Sequence, residues 1–462
     1  MIYRKYTGFQ ITKMSLSLSP EQQSVFNAYL AGQNVFITGP GGTGKTHLIR
    51  AIYNNALKQK KPVQVCALTG CAALLLACNA KTVHSWAKIG LGKGSDVDIL
   101  SKILKYRKTK PWVSTKLLII DEVSMMSMRL FELLDYLGRK IRKTDLPFGG
   151  IQVIFSGDFY QLPPVPDKGD EASAKFCFES PRWQETFHKQ IELRRNFRQG
   201  DTTLASVLNQ IRTGMLDRDG LELLRCRVGL SLPSDSLVVP TKLFPRKYSV
   251  ELVNNSEMQK IDTEEYIYEP ELVTDEVNPN VSETAIEEEA AHMQNHALFD
   301  ELVCLKKGAQ VMCIANIDLE DAKICNGSVG IVTGFTTAPD GNEYPTVKFQ
   351  NGAERTMVRH SWPSENIKGL CITQVPLILA WAITIHKAQG ATLDLLELDI
   401  GSDVFEYGQT YVGLSRVRSL DGLYISEFMP EKIKANPKVH TFYETMNVLA
   451  GLESLTTVKY PI

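Results

Sequence analysis

The stretch "QNVFITGPGGTGKTHLIRAIYNNAL", residues 33–57, decides the fold. A short apolar run ends in a glycine-rich turn, and the turn opens directly into a segment with helical patterning. Residues 39–46, "GPGGTGKT", have the spacing G-x-x-x-x-G-K-[ST]. In such a loop Gly39, Gly41, Gly42 and Gly44 let backbone N–H groups, that of Thr43 included, approach phosphate oxygens. The helix N-terminus adds partial positive charge, and Lys45 reaches the β- and γ-phosphates. Thr46 supplies a hydroxyl for Mg²⁺. A fortuitous glycine turn is the rival reading, and the strand and helix on either side speak against it.

The flanking sequence extends the pattern. "PVQVCALTG", "KLLIIDEVSMM" and "IQVIFSGDF" are further apolar strands separated by helical or loop material, which predicts a parallel sheet covered on both faces. Ser19, Pro20 and Gln22 in "LSPEQQSVFNAYL" have the order of a capped helix start. "LLIIDE" ends a strand in two carboxylates. In a P-loop enzyme Asp121 would hold Mg²⁺ and Glu122 would polarise the attacking water; two acids in a surface turn are the plainer alternative. ATP hydrolysis follows as the base expectation, shared by transporters, kinases and motors alike. A second α/β unit is expected from about Ile191, with strands at 236–241 ("SLVVPT"), 377–385 ("LILAWAITI") and "GLYIS" near the end. Between them, residues 302–372 read as all-β, in short strands broken by Gly, Asn and Pro.

Composition bounds the rest. The chain has 462 residues, 44% hydrophobic and 22% charged, enough for two or three packed domains. No apolar stretch is long enough to span a membrane. Residues 1–13 lack the apolar core of a signal peptide, so a cytoplasmic or nuclear location is expected. The nine cysteines contain no C-x-x-C pair and read as free thiols, and His292 and His296 read as surface residues. The net charge of −1 hides a segregation: "KILKYRKTK", residues 102–110, carries five Lys/Arg and no acid, whereas 261–290 carries eleven Asp/Glu and no base. The acidic run is expected to be a solvated face or loop.

Several stretches occur in the order of the helicase motifs: "GPGGTGKT", "LTGCAALLLACNAKTVHSW", "IIDEVSMM", "GDFYQLPPV", "LRRNFRQ", "LAWAITIHKAQGATLD" and "YVGLSRVRSLDGLYI". Together they resemble the PIF-one (petite integration frequency) helicases, the RecD-like, 5′-to-3′ branch of helicase superfamily one. "FELLDYLGRKIR" and "LKKGAQVMCIANID…NGSVGIV" add to the likeness, which runs from Leu18 to Ile425. Residues 70–84 depart from the family pattern, leaving "NAKT" where paired glycines are usual.

The resemblance implies an α/β fold of two RecA-like cores. The first comprises 1–87 and 116–190, and the second 191–300 and 373–462. A basic wedge insert is expected at 88–115 and an SH3-like β insert at 301–372. By the same resemblance Gln22 recognises adenine, unless it is merely a cap residue, and Gln161 senses the γ-phosphate. Pro163 and Pro164 stiffen the segment after Gln161 and would carry its movement onward. Arg198 and Arg416 match two arginine fingers, and Gln389 and Gly390 communicate with the nucleotide. Thr69, Thr82, His84, Thr384, His386 and Lys387 fall on the DNA side; His84 or Trp86 would stack on a base, with a core position the alternative for Trp86. Lys105 and Lys108 of the wedge would meet phosphates. The implied cofactors are ATP and Mg²⁺, the partners single-stranded and forked DNA, and the solution state a monomer. Rival readings are a translocase that strips proteins from DNA and a nucleotide-gated clamp.

Overall fold

A computed structural model describes residues 18–456 apart from 77, 91, 168, 198–201, 232–235, 296, 298, 319–321, 365, 386, 389–390 and 403. Six strands form the first sheet: β1 (Val35–Thr38), β2 (Val63–Ala67), β3 (Lys81–Thr82), β4 (Leu117–Asp121), β5 (Gln152–Ser156) and β6 (Lys189–Glu192). Their order is β3-β2-β4-β5-β1-β6, and every pairing is parallel. Alternate residues point to opposite faces, and here both faces are buried. Val35, Ile37, Leu117, Ile119 and Ile154 join one apolar cluster, while Phe36, Leu118, Ile120, Val153 and Phe155 join the other. That is why these strands read as continuous apolar runs in the sequence rather than as alternating ones. The helix Lys45–Lys58 seals the first face with Leu48, Ile49, Ile52 and Ala56. The helix Met128–Arg142 seals the second with Leu130, Phe131, Leu133, Leu134 and Leu137.

A second parallel sheet has the strand order Ala382–Thr384, Thr241–Phe244, Leu396–Ile400, Leu423–Phe428. The strand expected at 236–241 begins only at Thr241. Pro240 has no N–H for a ladder, and the Gln310 side chain takes the place of a strand partner at Val239. Its Oε1 accepts from the Val239 N–H at 2.9 Å and its Nε2 donates to the Val239 carbonyl at 3.0 Å. The run 377–385 is two strands rather than one. Leu377–Leu379 pairs antiparallel with Gln310–Cys313, and Ala382–Thr384 pairs parallel with Thr241–Phe244. Both halves are buried, so hydrophobicity alone does not mark where the chain changes sheets.

The expected all-β region is present. A five-stranded sheet joins Gln310–Cys313, Val329–Thr337, Glu343–Phe349 and Glu354–Thr356 antiparallel, with Leu377–Leu379 at its edge. The acidic run is a largely solvated face but not a loop. Glu265–Tyr268 and Glu271–Val273 are strands, and Glu283–Asn295 is a helix. The basic insert forms two short helices, Asp96–Lys105 and Lys110–Ser114, anchored by buried Ile99, Ile103 and Trp112.

Two features cross the expected domain limits. β6 straddles 190/191 and pairs with β1. The last helix, Pro437–Thr456, seats Phe442 against Phe36, Phe159, Phe178 and Trp183 of the first unit. Among the described residues no helix is long and apolar enough to cross a membrane, and the cysteines are free thiols.

Candidate active site and strand-facing residues

The phosphate loop leaves β1 through Gly39, whose φ of 137° and whose neighbour admit no side chain: a Cβ there would lie 2.3 Å from the Leu193 carbonyl oxygen. Gly44, at φ 81°, caps the helix Lys45–Lys58 without any side-chain hydrogen bond. The first N–H groups of that helix therefore remain directed at whatever enters the loop. Thr43 is buried and its hydroxyl donates to the Pro40 carbonyl at 2.9 Å. Lys45 folds over the loop, its Nζ donating to Gly39 O at 2.6 Å and Pro40 O at 3.0 Å. Burial pulls the Lys45 ammonium below its usual pKa, while Asp158, Glu122 and Asp121 oppose that shift.

β4 delivers the two carboxylates. Asp121 is its last residue, and burial raises its pKa. Glu122 turns into the left-handed region at φ 57°. Burial, then the neighbouring Asp121, pushes the Glu122 carboxyl up to about 7, against the pull of Lys45 and Arg416. Arg416, from the second unit, thus acts electrostatically on a carboxylate of the first. Its Nε donates to Val412 O at 2.9 Å and its Nη2 to Ser415 Oγ at 2.7 Å, and it is buried. The hydroxyl of Thr46 and the carboxylate of Asp121 are hard oxygen donors. Mg²⁺ characteristically takes one or two protein oxygens and completes its shell with phosphate and water. Among the described residues no group of three or more His, Cys, Asp or Glu could hold a metal ion.

Both ends of the Gln22 amide are hydrogen-bonded. Its Oε1 accepts from Ser19 N at 3.0 Å, completing the expected capping box, and its Nε2 donates to Thr43 O at 3.2 Å. The amide thereby fastens the first helix to the phosphate loop. Gln161 is buried, and its N–H donates to Asp158 O at 2.9 Å. Its carbonyl abuts Gly408, where a Cβ would lie 2.7 Å away. Gly408 begins the helix Gln409–Leu414, so the loop holding Gln161 rests on the second unit.

The most heavily bonded acid of the site has no role among those the motifs imply. Asp158 is fully buried and accepts from Arg212 Nε at 2.9 and 3.1 Å, Tyr411 Oη at 3.2 Å and Tyr443 Oη at 3.3 Å. Arg212 also reaches Glu192 at 3.3 Å and lies over the Tyr160 and Tyr443 rings. Asp158 lies within "GDFYQLPPV", and an Asp placed directly after an apolar strand was a usable signal. Arg212 and Tyr443 lie in helices with no local mark of their role.

On the side expected to face the strand, three threonines share one geometry. Thr69, Thr82 and Thr384 each accept an N–H three residues on, from Ala72, Ser85 and Lys387, all at 3.2 Å. An oxygen used this way keeps its O–H able to donate to a phosphate. His84 is half-buried. Trp86 corrects the stacking expectation: it is 3% exposed, packs on Trp112 with centroids 4.6 Å apart, and donates Nε1 to Thr115 Oγ1 at 3.3 Å. Its ring is core, and no base can reach it. Lys387 pairs with Asp300 at 2.8 Å. Lys105 and Lys108 are exposed, and each lies over the exposed Tyr106 ring. Arg198, His386, Gln389 and Gly390 lie outside the described residues.

Comparison with known proteins agrees with this arrangement. The family model for PIF1-like helicases matches residues 17–217, and that for the DNA helicase Pif1 2B domain matches 291–335. The chain is 37% identical to the ATP-dependent DNA helicase PIF1 of Danio rerio, covering 94% of this chain and 65% of that one. It is 32% identical to the ATP-dependent DNA helicase RRM3 of Saccharomyces cerevisiae, covering 94% and 68%. The crystal structure of Bacteroides sp Pif1 in complex with ADP-AlF4 superposes with a TM-score of 0.75 at 30% identity, covering 93% of this chain and 97% of that one. The chain thus spans about two thirds of the length of the curated relatives it matches. Sequence, topology and site converge, and the chain belongs to the PIF1-like helicase family.

Proposed function

We propose that this chain is a DNA-dependent ATPase that moves 5′-to-3′ along single-stranded DNA and separates duplex ahead of it. The observation that carries the reading is that the Gln409–Leu414 helix of the second unit meets the phosphate loop of the first, Tyr411 Oη accepting from the Gly41 N–H at 3.2 Å, with Arg416 just beyond bearing on Glu122. A planar, permanently charged donor brought to a carboxylate and a phosphate loop from a separate sheet is suited to stabilising a phosphoryl-transfer transition state. Glu122, held near neutrality by burial, would accept a proton from the attacking water. Lys45 would bind the β- and γ-phosphates once drawn from the Gly39 and Pro40 carbonyls. Thr46 and Asp121 would hold Mg²⁺, which when bound neutralises phosphate charge. Gln161 would report the γ-phosphate to the Gly408 turn, and Arg198 would add a second finger.

Thr69, Thr82, His84, Thr384, His386 and Lys387 would grip the strand backbone from both units. Closing and opening of the units around ATP would then move one grip past the other. Polarity rests on the family alone. The relatives' names, ATP-dependent DNA helicases, support the substrate class. We infer a monomer acting on single-stranded and forked DNA in the cytoplasm or nucleus. One observation favours a second reading, a translocase that displaces proteins and unwinds poorly: the basic insert is only two short helices. Unwinding of 5′-tailed against 3′-tailed duplex, with streptavidin displacement alongside, tests both. The first reading expects 5′-tailed unwinding; streptavidin displacement without unwinding would favour the second, and ATP-dependent binding with neither would leave only a clamp.

A further inference from the structure

Asp158 receives two tyrosine hydroxyls that are chemically alike and mechanically different. Tyr443, on the last helix, donates to Oδ1, meets Thr38 Oγ1 at 2.6 Å and accepts from Phe159 N at 3.1 Å. Tyr411 donates to Oδ2 and accepts from the Gly41 N–H of the phosphate loop at 3.2 Å. Burial, then the charge of Asp158, raises the Tyr411 pKa, so the hydroxyl stays protonated and keeps donating.

The two ends of the Tyr411 bridge differ in how firmly they are held. Asp158 is fixed by Arg212, Tyr443 and the stacked Tyr160–Tyr443 rings, 4.8 Å apart. At Gly41 a Cβ would meet nothing within 4 Å, unlike at Gly39 or Gly44, and its carbonyl accepts from Asn196 Nδ2 at 3.4 Å. A small cavity lined by Pro40, Gly41, Asn196, Leu208, Tyr411 and Ser415 lies beside it. Hydrogen bonding, then, sets where this part of the loop rests. Tyr411 itself sits in the helix Gln409–Leu414, and the chain passes directly from that helix to Arg416. Arg416 is tied back to it through Val412 O, Ser415 Oγ and a backbone bond to Gly413 O at 3.0 Å. Tyr411 and Arg416 therefore move as one body.

We propose that Tyr411 is a positioning residue, whose hydroxyl bridges the Gly41 N–H and the Asp158 carboxylate and so couples the state of the phosphate loop to the placement of Arg416. The proposal rests on the ATPase reading above. Tyr443 supplies the comparison, because it donates to the same carboxylate but bonds Thr38 and Phe159 where Tyr411 bonds the Gly41 N–H.

The test compares Tyr411→Phe and Tyr443→Phe with wild type, measuring thermal unfolding and steady-state ATPase with and without oligo-dT. Both variants keep the ring and lose one hydroxyl; three hydrogen bonds go with Tyr443 and two with Tyr411, so the loss of thermal stability should be at least as large in Tyr443→Phe. Only Tyr411→Phe should lower the oligo-dT-stimulated kcat, by about 10- to 100-fold, as expected for loss of one hydrogen bond to a charged group. Its KM for ATP should stay within about twofold, since Lys45 and the other loop amides remain. Equal kcat losses in the two variants, or none in Tyr411→Phe, would overturn the proposal while leaving the ATPase reading intact. A wild type with no ATPase would overturn both. Should Tyr411→Phe not fold, hydrogen exchange of the wild type decides. ADP should then change protection in 409–416 as well as in 39–44, and a change confined to 39–44 would overturn the coupling.

Discussion

The phosphate-loop end of the molecule and the side proposed to face the strand are built on opposite principles. Around the phosphate loop, Asp121, Asp158, Arg212 and Arg416 are buried and Lys45 and Glu122 half-buried, and Asp121, Asp158 and Arg416 act on Glu122 while Asp158 acts on Lys45 and Arg212. On the strand side the groups are hydroxyls and lysines at partly open positions, each serving a local turn or an exposed ion pair. In low dielectric a charge interaction is strong and an unpaired charge is costly; near water both effects shrink. Loss of one group should therefore be severe at the first site and modest at the second.

The largest effect is expected at the arginine. Arg416→Ala should lose DNA-stimulated turnover by up to about 10³–10⁵-fold if it acts as a full arginine finger, while ATP binding persists. Glu122→Gln should also bind ATP and turn over slowly, because an amide is a poor base. Steady-state ATPase with and without oligo-dT, alongside nucleotide binding, checks both. Near-normal turnover in either would break the comparison at its strongest point.

Asp158→Ala comes next, and it should lower stability as well as break the Tyr411 bridge. It leaves the buried Arg212 guanidinium with Glu192 as its remaining ion-pair partner, which should cost up to about 3–5 kcal/mol in urea unfolding. Trp86→Ala should cost about as much, 3–5 kcal/mol, through the cavity left beside Trp112. The folded fraction should nevertheless keep its single-strand affinity, measured by fluorescence anisotropy. A selective loss of DNA affinity in Trp86→Ala would return the ring to the strand site.

The smallest effect per residue is expected in the basic insert. Neutralising Lys102, Lys105, Arg107, Lys108 and Lys110 together should reduce unwinding more than ATPase. The salt dependence of forked-DNA binding should flatten by about 0.9 for each of these side chains that meets a duplex phosphate in the wild type. An unchanged slope would make the patch a solvated face and remove it from the comparison.

Local chemistry explains what was readable from the chain alone. The strand before the phosphate loop, the glycines within it, the Ser19–Gln22 capping box and the paired acids after β4 depend on neighbours a few residues apart, and spacing records them. The all-β region was visible because its turns are marked by Gly, Asn and Pro. The strand Leu396–Ile400 carries a signal of another kind, Glu397 and Asp399 alternating with its buried residues, which a search for apolar runs passes over. The change of sheet at Ala380–Trp381 was hidden for the converse reason, both halves being equally apolar.

Tertiary structure alone decided the rest. Trp86 is polar at one edge and apolar elsewhere, so its sequence suited a base or a core, and only the arrival of Trp112 settled which. Asp158 gained its partners from residues 54, 253 and 285 positions away, brought together by the packing of three helices on one strand end. Sequence by itself determined which groups bear charge and how each turn folds. Which charges face one another was left to the packing, because a Coulomb interaction depends on distance in space and on the water excluded between the groups, and spacing along the chain records neither.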